Sequence, residues 1–229
     1  MAPLTNTYTL IARDPHTRMM GIATASKSLA VGSVVPHLRA GIGAVVTQHQ
    51  SDPRLALAIL EDLEAGVDPK DAIERALRFF GDAEHRQVAV LPAQPQPGQT
   101  AFLAYTGAGC HNFAGQRATE DLIVIGNTLK SEQVLLDGER GYHASVSPHL
   151  AERLVEGLLA CERAGGDVRG KQSAALVLVG PQVNQPALVD LRVDDHPDAP
   201  AELHRIYILF RRQFGTSVLP RVKAAEFAP

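Results

Sequence analysis

Tryptophan is absent, aromatic residues make up only 5% of the 229-residue chain, and cysteine occurs twice. So few aromatics leave no stacking platform for bases or sugars. Cys110 and Cys161 are too few for a disulfide framework, and neither belongs to a paired metal-binding spacing. Positive charge is not in excess: 22 basic against 25 acidic residues give a net charge of −3. That balance removes the cationic surface that nucleic acid or anionic lipid would require. No apolar run reaches the roughly 18 residues of a membrane span. The opening Met-Ala-Pro-Leu-Thr-Asn has neither the basic nor the apolar region of a secretion signal, so cytoplasmic residence is the expectation. What is present is a core-forming balance, 45% hydrophobic and 21% charged. The length suits one domain over 1–229, with 1–6 as an N-terminal extension and 216–229 as a tail.

Helix punctuation is plain. Asp52-Pro53 and Asp68-Pro69 each read as an N-cap followed by a first-turn proline, with stops at Gly66 and Gly81. Ser147-Pro148 opens a third stripe through Leu150, Leu154, Leu158 and Cys161, ending at Gly165-Gly166. A fourth begins near Pro200 and runs through Leu203, Tyr207 and Phe210 to Gly215. Strand signals fill the intervals: Thr7–Asp14 and Met20–Ser26 as a hairpin, then 41–48, 87–91, 100–105, 122–125, 173–179 and 187–193. Runs such as Ala44-Val45-Val46 and Ala174 to Val179 are apolar almost throughout, as strands covered on both faces are. The order is not a βαβ repeat. It predicts an α+β fold with two stacked sheets between outer helices.

Chemistry enters at Thr7, the head of the first long strand. A threonine with a free α-amino group carries its own base, because that amine titrates near neutrality and relays the hydroxyl proton. Other clusters read as structural. Asp194 and Asp195 are neighbours in an extended stretch and point opposite ways, so the Asp190–Asp198 acidic run reads as helix capping rather than a metal site. Cys110-His111 has nothing nearby to lower the thiol pKa. Cys161 lies on an apolar helical stripe and reads as core. No metal and no cofactor are expected.

Several segments carry a resemblance: Thr7-Tyr-Thr-Leu-Ile-Ala-Arg-Asp-Pro15, Ala30-Val-Gly-Ser-Val-Val-Pro36, Ala40 to Gln48, Gly126-Asn127, Gly165 to Ala175 and Val189 to Asp198. They resemble the bacterial family called domain of unknown function 1028, grouped with the N-terminal nucleophile (Ntn) hydrolases. The resemblance implies a four-layer αββα sandwich with a catalytic residue at the start of the first strand, here Thr7. On that footing Asn127 offers an amide to an oxyanion. Ser26 returns beside Thr7 across the hairpin. Thr47 and Gln48 line the same cleft, and Arg169, oriented by Asp167, grips a substrate carboxylate. The expected activity is hydrolysis of an amide in a small or peptide-like molecule, by a possible homodimer. The amine of Thr7 is tied to Asn6, so activity requires self-cleavage at Asn6–Thr7 or a later downstream processing step. The alternative is an unprocessed precursor, or a non-catalytic binder of small molecules that keeps the sandwich.

Overall fold

The computed structural model describes residues 4–218. Eleven strands and five α-helices follow one another along them. Strands β1 (Leu4–Thr5), β2 (Thr7–Arg13), β3 (Met20–Ser26), β4 (Pro36–Arg39) and β5 (Gly43–Gln50) come first, then helices α1 (Pro53–Glu64) and α2 (Pro69–Phe80). Next are β6 (Arg86–Pro92), β7 (Leu103–Thr106), β8 (Phe113–Ala118) and β9 (Leu122–Leu129), then α3 (Gln133–Ala144) and α4 (Leu150–Arg163). The chain closes with β10 (Ser173–Val179), β11 (Val189–Val193) and α5 (Ala199–Val218).

The strands form two antiparallel sheets. One has the order β1-β5-β6-β7, with β4 also paired to β5; the other runs β11-β10-β3-β2-β9-β8. Alternation along each strand then dictates the layers. Tyr8, Leu10, Ala23 and Val124 face α3, α4 and α5 in one apolar cluster. Val45, Val88 and Val90 meet Leu55, Ile59 and Ile73 of α1 and α2 in another. Ile11, Ile22, Val46, Leu91 and Ile123 fill the space between the sheets. Three cores imply four layers, helix–sheet–sheet–helix, the αββα sandwich that the sequence predicts.

Local chemistry explains the helix starts. Asp52 and Asp68 accept from the backbone N–H of Arg54 and Lys70 at 3.0 and 2.9 Å, satisfying donors that a helix N-terminus leaves open. Three expectations need correction. Helix α3 was not foreseen; it carries two glycines, Gly138 and Gly141, inside its span. A Cβ at Gly138 would lie 2.4 Å from Cys161 Sγ, and one at Gly141 would lie 2.5 Å from the Ala160 Cβ. These glycines let α3 approach α4 and are not punctuation. Strands β1, β4 and β8 are too short or too mixed to show period two. Helix α5 also passes Gly215 and continues to Val218, so the expected tail begins later; 219–229 lie outside the described residues.

Candidate active site

Strand β2 presents Thr7, Thr9 and Ile11 to the sheet–sheet space, and β3 presents Ser26, Thr24 and Ile22 directly opposite them. The same layer is apolar at the Ile11 end and polar at the Thr7 end. Thr9 Oγ1 lies 2.8 Å from Thr24 Oγ1 and donates to Gln48 Oε1 at 2.9 Å. Gln48 Nε2 donates to Gln87 Oε1 at 2.6 Å, and Asn127 Nδ2 reaches the same oxygen at 3.0 Å. Gln87 Nε2 in turn donates to the Gly126 carbonyl and Thr106 Oγ1, each at 2.9 Å. Thr7, Thr9, Thr24, Ser26, Gln48, Gln87 and Asn127 are all fully buried, so this network substitutes for water.

The N-terminal segment crosses between sheets at Asn6. Leu4 and Thr5 pair antiparallel with Gln50 and His49 of β5, while Thr7 begins β2 in the other sheet. At the crossing, the Asn6 carbonyl receives Ser26 Oγ–H at 2.6 Å and Arg169 Nη2–H at 3.2 Å. Thr7 Oγ1 donates to the Thr5 carbonyl at 2.9 Å. Arg169 is held by the fully buried Asp167 carboxylate, Nε to Oδ1 at 3.1 Å and Nη2 to Oδ2 at 2.6 Å. Their turn needs glycine on both sides, since Gly165 and Gly170 have φ of +113° and +103°.

The structure therefore brings Thr7, Ser26, Arg169, Asp167 and Gln48 to one point, Gln48 Nε2 lying 3.4 Å from the Thr7 carbonyl. Asn127 sits one position past Gly126, the partner of Tyr8, but its amide is turned onto Gln87. Thr47 is placed apart: its Oγ1 accepts from Asp52 N–H at 3.4 Å, in the opening turn of α1. Sequence reasoning missed Thr9 and Thr24, spaced by two from Thr7 and Ser26, and Gln87, which faces Gln48 from β6 and carries no signal of its own.

His49 was also missed. It is fully buried with φ +63°, and Nδ1 lies 2.8 Å from the His85 carbonyl. Its ring meets His111 edge-on at 5.0 Å. Burial pushes its pKa down, and His111 and His85 push the same way. Among the described residues, four side chains hold a buried polar atom without a partner, and two of them, Asn6 Oδ1 and His49 Nε2, lie at this crossing. Buried orphans and left-handed non-glycine residues cost free energy, which makes the crossing a candidate site; Thr128, with φ +56° and β-branched, is another left-handed residue.

Other candidates are occupied elsewhere. Burial pushes the Cys110 thiol up to about 11, so it is no nucleophile at neutral pH. Asp190 pairs with Arg192, Asp195 accepts from Gln172, and Asp198 pairs with Lys171. Among the described residues no three His, Cys, Asp or Glu side chains are placed to hold a metal ion. Nor is any helix among them long and apolar enough to cross a membrane.

A four-layer αββα sandwich with a buried threonine at the head of a central strand is the class that fold and site define. Residues 7–203 match the model of a family of unknown function, DUF1028, and the chain belongs to that family. A solved DUF1028 protein from Silicibacter pomeroyi is 27% identical, with a TM-score of 0.79 over 90% of this chain and 89% of that one. The Anbu Gly-1 mutant from Hyphomicrobium sp. strain MC1 is 14% identical with a TM-score of 0.49, over 92% of this chain and 97% of that one. Anbu from Yersinia bercovieri is 11% identical with a TM-score of 0.42, over the same shares. Neither of the last two likenesses is close enough to carry an argument. No curated protein matches the chain in sequence.

Proposed function

We propose that this chain is the precursor of an Ntn-type amide hydrolase, which frees Thr7 by cutting its own Asn6–Thr7 bond. One observation carries the reading: the carbonyl beside the threonine hydroxyl is the one that two side-chain donors hold, Ser26 Oγ and Arg169 Nη2. In this reading Thr7 Oγ attacks the Asn6 carbonyl carbon, and charge developing on the carbonyl oxygen falls on those two donors. The C–N bond breaks, the Thr7 nitrogen keeps the hydroxyl proton, and the acyl group passes to Oγ as an ester. Water then cleaves the ester, releasing an Asn6 carboxylate and restoring the Thr7 hydroxyl beside its free amine.

The freed amine serves as base when Thr7 attacks an amide of a small or peptide-like substrate. The nearby Arg169 cation, partly balanced by Asp167, disfavours protonation of that amine, which leaves it free to accept a proton at neutral pH. The oxyanion role thus passes from Asn127 to Ser26 and Arg169, and Asn127 and Gln48 become the buried support behind them.

Intact-mass measurement over hours to days tests this. The expected product begins at Thr7 in wild type and is missing in Thr7→Ala. An uncut chain that hydrolyses amides at full rate sinks the reading. A second reading, a non-catalytic ligand-binding sandwich, is favoured by the complete burial of Thr7. A chain that stays intact and turns over no amide decides for it.

A further inference from the structure

Residues 4–6 occupy the site in the manner of a ligand. Leu4 and Thr5 lengthen one sheet as a two-residue strand on the edge of β5, in register with Gln50 and His49. The earlier part of that edge, Gly43 to Val46, is covered by β4. Only the terminal stretch of β5 is left for another chain. Unpaired strand edges take up extended peptides through main-chain hydrogen bonds. From this strand the chain delivers the Asn6 carbonyl to Ser26 and Arg169 and buries Thr5 and Asn6 to 3% and 7% exposure.

We infer that the end of β5, with Ser26 and Arg169, is a binding groove for the acyl half of an extended peptide, and that Leu4–Asn6 is its resident occupant. The residue whose carbonyl meets Ser26 and Arg169 takes the place of Asn6, and the two before it pair with His49 and Gln50. The inference rests on the hydrolase reading only for what happens to the bound peptide; the groove itself is a matter of pairing and burial. It narrows the substrate class from amides in general to peptides at least three residues long on the acyl side. Compact amides lack a main chain to align with β5.

The groove is also a poor host for asparagine. Asn6 Oδ1 is buried without a partner, and an unsatisfied buried acceptor costs more than an apolar group of similar shape. The best peptide therefore carries an apolar residue of that size in place of Asn6. An occupant with a built-in defect departs readily once it is cut.

Full-length Thr5→Pro removes the resident strand's pairing, because proline breaks β ladders. A second host, Leu4→Gly/Thr5→Gly, loosens it through chain entropy instead. Hydrogen exchange at the His49 and Gln50 amides reports the release. The probe is fluorescein-labelled Leu-Thr-Asn-amide, read by anisotropy. Expected are saturable binding to both hosts, at least tenfold weaker binding to wild type, and about tenfold tighter binding of Leu-Thr-Leu-amide. A Leu-Pro-Asn-amide probe must fail. Hosts with released β5 amides that ignore every probe, or bind the proline probe as well, overturn the inference. If β5 is released in neither host, a strand that holds against both proline and glycine is not an exchangeable occupant, and the inference falls. Peptide binding in a protein whose wild type is never cut sinks the hydrolase reading alone.

Discussion

The space between the two sheets has two halves made by the same strands. At one end β2, β3, β5, β6 and β9 contribute Ile11, Ile22, Val46, Leu91 and Ile123. At the other end the same faces of the same strands contribute Thr9, Thr24, Gln48, Gln87 and Asn127. The apolar half gains stability from area removed from water and from close packing. The polar half gains little net free energy, because each internal hydrogen bond replaces one to water. Its value is positional: a satisfied amide network admits few arrangements, so it fixes the floor on which Thr7 rests. One half holds the sheets together and the other holds the site.

The sharpest way to break this comparison is to take away a carbonyl donor. Arg169→Ala is expected to slow release of the Asn6–Thr7 bond by about a hundredfold to a thousandfold, the usual cost of losing one oxyanion donor, and to lower the melting temperature as well, because the buried Asp167 carboxylate loses its partner. Mass spectrometry and thermal unfolding on the same samples check both halves of that statement. Ser26→Ala, which removes the donor 2.6 Å from the carbonyl, is expected to act in the same direction and range. A large loss of stability with no loss of rate would make Arg169 a structural residue.

Next comes the apolar half. Ile11 is fully buried against neighbours from both sheets. Ile11→Ala is expected to destabilise by about 3 kcal/mol through lost transfer and a residual cavity, while cleavage, measured well below the melting transition, is unchanged. Smaller again is Gln87→Leu. It leaves Gln48 Nε2, Asn127 Nδ2 and the Gly126 carbonyl short of a partner, at about 2 kcal/mol for stranded groups that partly relax. Unlike Ile11→Ala, it is expected to slow cleavage too, because the floor loses its single arrangement. If denaturant unfolding gives similar losses and the two cleavage rates match, the halves are not different in kind.

The sequence disclosed these halves unequally. Helices α1 and α2 were readable from Asp-Pro starts because capping is local chemistry. Strand β10 was readable over Ser173–Val179 because a strand buried on both faces is continuously apolar. The closeness of Ser26 to Thr7 followed from hairpin geometry alone. Helix α3 was hidden because its glycines serve a neighbour distant in sequence, Cys161. The polar network was hidden for a related reason: Thr9, Thr24 and Gln87 come from three strands, and nothing in any one of them announces that they meet. Asn6 was legible as a peptide bond to be cut, but its two donors arrive from residues 20 and 163 positions away. Local rules give elements, and a site assembled across sheets appears only when the register is known.

The smallest expected effect lies at the groove's outer wall and depends on pH. His49 is buried, and both burial and its neighbours His111 and His85 lower its pKa, against the opposing pull of the His85 carbonyl and Asp82. The unfolded chain therefore binds a proton near the ordinary histidine value of about 6.5, while the folded chain still refuses it. Stability is complete above that value and drains away as pH falls from there through the lower folded value. Half-buried His85 works in the opposite sense, since Asp82 raises its pKa, and half-buried His37, also lowered, works in the same sense as His49. His49→Asn removes this titration and suits the backbone, because asparagine tolerates the left-handed conformation that His49 adopts at φ +63°. Melting temperatures between about pH 5 and 8 are expected to fall less steeply toward acid in that variant than in wild type. An unchanged slope would mean that the imidazole beside Thr5 takes up its proton equally in the folded and the unfolded chain, and that the wall of the groove does not exclude charge.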